Sequence, residues 1–64
     1  MENENENFNK LPLKIKNAIK MYASESAMNH LTLFNSIKNS TGSIQSLSKI
    51  FKIPEIVISA IKEV

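Results

Sequence analysis

Cysteine, arginine, aspartate and tryptophan are missing from this 64-residue chain, and histidine and glycine occur once each. Without cysteine there is no disulfide and no thiolate metal site. A lone His30 completes neither a metal site nor a catalytic triad, so no metal and no cofactor is expected. No nucleophile–base pair and no carboxylate pair on one face is counted, and no glycine-rich loop is present to cradle a phosphate. The eight serines read as cap and loop residues, and the chain is expected not to be an enzyme. No apolar run approaches the roughly 20 residues of a membrane span. The opening, MENENENFNK, is acidic and polar, the reverse of a secretory signal, which points to the cytoplasm. The absence of arginine also removes the usual bidentate reader of guanine.

What is present is lysine, asparagine and isoleucine, unevenly placed. The net charge is +2, but three of the six glutamates (Glu2, Glu4 and Glu6) lie in the first seven residues. The remainder, residues 8–64, carries eight lysines against three glutamates, or +5. Residues 1–9 repeat Glu-Asn three times and are expected to bury nothing, so they read as a disordered tail. Residues 10–64 then form a single domain near the lower size limit for folding alone.

Apolar spacing divides that domain into four short helices. Over residues 11–23, Leu11, Ile15, Ala18, Ile19 and Tyr22 recur at one-face spacing, with Pro12 in the opening turn. Lys10, Lys16 and Lys20 project to the other side, with Lys14 at the flank. That face reads as simply solvated, as phosphate-contacting, or as lying on a membrane surface. Over residues 26–38, Ala27, Met28, Leu31, Phe34 and Ile37 make a second stripe with Leu33 to one side, and Ser24 or Ser26 is placed to cap it. His30 falls at its boundary. Residues 39–43 are a loop by composition, with Gly42 suited to positive φ and Ser43 to capping a helix over 43–51. Lys52 and Ile53 make a tight turn, and Pro54 suits the opening of a last helix over 54–63. The fold class is all-α, a small bundle of four short helices.

Leu47, Phe51, Ile53, Ile58 and Ile61 place apolar groups on two crossed helices and in the turn between them. On these residues the stretch 42–63 resembles the helix-turn-helix of small DNA-binding domains, of the trihelical, homeodomain-like type found in resolvases, invertases and many repressors. Those five residues match the apolar core of the family's motif. Ser48 stands where a small residue, usually alanine, follows the first core position, and the helix over 26–38 matches the preceding support helix. The resemblance implies double-stranded DNA as partner, with the second helix of the motif in the major groove. Carried onto this chain, it implies DNA contacts from Gln45, Lys49, Lys52, Glu55, Ser59 and Lys62, with Lys16 and Lys20 adding phosphate contacts.

The sequence departs from the family in three places. Lys52 stands where glycine is usual, which costs roughly 1–2 kcal/mol if the residue is left-handed. The side opposite Ile58 and Ile61 carries Ile56, Ser59, Ala60 and Glu63, with no lysine. Ile56, Val57, Ala60 and Val64 make the last helix apolar nearly all round, which implies burial on more than one side. These four residues are candidates for an interface with a second copy, forming a homodimer, or with another protein.

Two functions are therefore open. One is a small DNA-binding protein, a regulator or a plasmid- or phage-type accessory factor, holding phosphates with lysines. The other is a protein-interaction or dimerisation module working through its last helix. The placement of Ile56, Ala60 and Val64 discriminates between them: packed under the first helix they favour the lysine faces, and in solvent they favour a partner.

Overall fold

The chain is all-helical, and the computed structural model describes residues 4–64. Among the described residues five helices follow one another: α1 (Glu4–Asn9), α2 (Leu13–Glu25), α3 (His30–Asn39), α4 (Ile44–Phe51) and α5 (Glu55–Glu63). The last four correspond to the four read from the apolar spacing, with shifted ends. The body measures 30 × 22 × 19 Å.

The first helix is a correction. Residues 4–9, expected to be disordered, form α1, and Phe8 is only 4 % exposed. Its ring meets Phe34 of α3 edge-on, with centroids 5.7 Å apart, and lies 5.1 Å from the ring of His30. The polar repeat is thus anchored by one aromatic side chain, an arrangement that composition averages away. The part of the expected tail at residues 1–3 lies outside the described residues.

Two helix ends differ for identifiable reasons. Ala27 adopts positive φ (55°), and the Met28 N–H donates to the Ala23 carbonyl five residues back. This left-handed closure ends α2 late and keeps α3 from starting at residue 26. Asn29, rather than Ser24 or Ser26, caps α3: its Oδ1 accepts from the Leu31 N–H at 2.8 Å and the Thr32 N–H at 3.4 Å. Ala27 and Met28 therefore lie outside the helix and are exposed. Ser43 caps α4 as its position predicts, accepting from the Ser46 N–H at 3.1 Å.

The core collects Phe8, Leu11, Ile19, Ala23, Leu33, Phe34, Ile37, Leu47, Ile53, Val57, Ile58 and Ile61. No polar or charged residue is buried with them among the described residues. At its centre α5 packs against α2, α3 and α4, while α2 and α1 also pack against α3. Removing the Phe8 ring forfeits a buried aromatic contact, so Phe8→Ala is expected to lower unfolding stability by about 3 kcal/mol in a urea titration followed by circular dichroism. A chain lacking residues 1–9 should be destabilised similarly; an unchanged midpoint in both would return the segment to the status of a dispensable tail.

Candidate nucleic-acid interface

The turn between α4 and α5 is built by three residues. Lys52 is left-handed (φ 60°, ψ 44°), and the Lys52 and Ile53 N–H groups both donate to the Ser48 carbonyl. The Ser48 hydroxyl also donates to the Ile53 carbonyl at 2.6 Å. Ser48 thus ties the turn through both its backbone and its side chain, beyond the small size read from the sequence. The 6→1 bond from Ile53 to Ser48 is that of a Schellman closure, which ordinarily uses glycine at the left-handed position. Ile53 is driven into the core beside Leu47, Ile58 and Ile61, and Phe51 packs half-buried against them. Pro54 (φ −55°, ψ 146°) precedes α5 and lacks only an N–H that the helix start leaves unpaired.

The outer surface of this unit is uneven. Gln45, Lys49, Lys52 and Glu55 are exposed, and Ser59 is half-buried. Lys49 and Lys52 stand on either side of the end of α4, where cations also favour the helix dipole. On α2, Lys14 and Lys20 are exposed and Lys16 is half-buried; Lys10, just ahead of the helix, is exposed. Apart from Lys62 on α5, the lysines named from the sequence lie on α2 and α4 or just beyond their ends, and α2 and α4 each pack on α5.

Lys62 is directed elsewhere. Its Nζ donates to the Lys38 carbonyl at 3.2 Å and to the Ser40 carbonyl, both at the C-terminal end of α3. Lys38 returns the contact by donating to the Val64 backbone oxygen beyond α5. Each helix thus carries a lysine that satisfies carbonyls at the end of the other, where orphan acceptors and the negative end of the dipole both favour a cation. This is a structural role for a residue expected among the DNA contacts.

The proposed partner surface on α5 is corrected in the same way. Val57 is 3 % exposed and belongs to the core, and Ala60 and Val64 are partly buried against it. Only Ile56 stands out, at 71 % exposure. A helical wheel assigns Val57 to a second face because it takes no account of three neighbours packing on one short helix. What α5 offers to solvent is Glu55, Ile56 and Glu63. The sequence reading missed Ile50, 69 % exposed near the end of α4, and the exposed Leu13 and Met21 on α2.

Lys62→Gln is expected to lower stability by about 1 kcal/mol through the lost carbonyl contacts, with no loss of duplex affinity in a fluorescence anisotropy titration. Lys52→Gly, which relieves the left-handed backbone, should raise stability by about 1 kcal/mol; a fall in the thermal midpoint would show that the lysine stem supports the turn more than its conformation strains it. No family model, curated protein or solved structure matches this chain.

Proposed function

We propose that this is a small DNA-binding accessory protein that holds duplex phosphates with exposed lysines and reads little sequence, and that it is not an enzyme. The observation that carries this is the fate of the apolar side of α5. Val57 is buried and Ala60 and Val64 pack on the core, while Lys49 and Lys52 remain exposed at a turn with left-handed geometry. The second apolar face read on α5 is thereby mostly consumed inside the chain's own core, and the large apolar side chains left outward are Leu13, Met21, Met28, Ile50 and Ile56. The surface needed for phosphate contact is free.

The groove-reading half of the resemblance is weakly supported. Glu55 and Glu63 oppose phosphate, Ile56 has only thymine methyls to meet, and Lys62 is occupied at α3. Binding carried by lysine–phosphate pairs is sequence-tolerant and falls steeply with salt. A second reading, a protein-interaction module, rests on Ile50 and Ile56, both exposed and flanking the turn.

A titration of random-sequence duplex at several salt concentrations decides between them. The expected result is binding at low salt with a slope of about −2 to −4 in log K against log salt, as for two to four neutralised phosphates. Replacing Lys14, Lys20, Lys49 and Lys52 together by glutamine should remove it, with the fold retained by circular dichroism. Absence of binding by the unaltered protein at tens of micromolar would overturn the DNA reading and turn attention to Ile50 and Ile56.

A further inference from the structure

Among the described residues α2 is the longest helix, 13 residues, or about 20 Å of axis. Up to residue 23 its exposed side chains are Leu13, Lys14, Asn17, Lys20 and Met21. The helix itself fixes their directions relative to one another. At about 100° per residue, Asn17 points along the middle of the exposed face. Lys14 and Lys20 stand roughly 60° to either side of it, one before and one after along the axis. Leu13 and Met21, 68 % and 50 % exposed, stand roughly 40° to either side. The buried residues of the helix, Ile19 and Ala23, lie opposite. Glu25, its only carboxylate, comes at its last position.

Asn17 has no evident task in the fold. It caps neither end of α2 and does not reach the core, and asparagine inside a helix weakens the helix. Its carboxamide carries a donor and an acceptor side by side, the pair that matches N6 and N7 of adenine. Those atoms lie in the major groove, which at about 12 Å wide admits one helix. A helix seated there has its central line at the base edges and its two flanks toward the phosphates of the bordering strands. On α2 the amide occupies the centre and a lysine occupies each flank. Leu13 and Met21 fall between, where thymine methyls are the apolar contact. Helix α5 lacks this arrangement, since it exposes Glu55, Ile56 and Glu63 and its lysine is held at α3. An anionic lipid surface also attracts lysines and apolar side chains, but a helix lying in it puts apolar residues along its deepest line. Here that line carries the amide.

We propose that α2 is the helix that enters the major groove of duplex DNA, with Asn17 reading adenine and Lys14 and Lys20 holding the two bordering strands. The inference rests on the DNA-binding reading and adds to it the element that meets the bases. A single asparagine gives a modest preference for A·T pairs over an otherwise sequence-tolerant contact.

The test is a fluorescence anisotropy titration of the full-length protein at about 50 mM salt against two duplexes of equal length, one all A·T and one all G·C. The A·T duplex is expected to bind about tenfold tighter. Asn17→Ala should remove that preference while leaving affinity for the G·C duplex unchanged. An A·T duplex made with 7-deazaadenine, which lacks the N7 acceptor, should bind the unaltered protein as weakly as the G·C duplex. Lys14→Gln with Lys20→Gln should weaken both duplexes by the same factor and reduce the salt slope by about 2. Equal binding of the two duplexes by the unaltered protein would overturn the inference and leave the DNA-binding reading standing. So would a preference that survives Asn17→Ala or the loss of N7. Binding to phosphatidylserine vesicles with none to either duplex would overturn both.

Discussion

Ser48 holds the angle between α4 and α5, and most of the tertiary structure follows from that angle. Its carbonyl accepts the Lys52 and Ile53 N–H groups and its hydroxyl donates to the Ile53 carbonyl. The peptide groups of the turn are thereby satisfied locally, in a place where burial of Ile53 would otherwise strand them. Ile53 can then enter the core as an apolar plug, and α5 leaves the turn in a direction that brings Val57, Ile58 and Ile61 inward together. Without that clamp Lys52 would have little to hold it left-handed, a conformation that costs a side-chain-bearing residue roughly 1–2 kcal/mol.

The second constraint is size. A chain this short has little apolar surface to set against its backbone entropy. It uses nearly all of what it has: α5 is packed on three sides, Phe8 from a polar segment seals α3, and no polar side chain among the described residues is buried in the core. The reciprocal contacts of Lys38 and Lys62 belong to the same economy. They join the carbonyl ends of α3 and α5, adding to Ser40, whose hydroxyl and N–H donate to the Ser36 and Ile37 carbonyls.

Much of this was legible in the residues, and the failures have a common cause. The α4 and α5 limits follow from Ser43, Pro54 and the spacing of Leu47, Phe51, Ile58 and Ile61, all of which act within a few residues of where they are read. Gly42 at φ 124° and Lys52 at φ 60° were placed by the same local logic. The misreadings concern partners distant in sequence. Phe8 looked unsupported because its neighbours are glutamate and asparagine, yet its contacts, Phe34 and His30, lie more than twenty positions on. Val57 looked like a second face because the helices that cover it are absent from its own periodicity. Lys62 looked free because the carbonyls that hold it belong to α3. At α3 the two serines read as caps are passed over, because the left-handed Ala27 moves the helix start to Asn29.

These placements bear directly on function. A helix that reads a DNA groove must give one side to the core and the other to base edges. Here α5 gives Val57, Ile58 and Ile61 to the core, and its one lysine is fixed to a neighbouring helix. What remains outward is two carboxylates and an isoleucine, a surface poor in the donors that base edges accept. The cationic groups have instead been left on the helices that flank it. Selective readout through α5 and a monomeric core of this size are in conflict, because the same short helix cannot face both ways. On the proposed reading that conflict is resolved in favour of folding, and phosphate contact is left to the peripheral lysines.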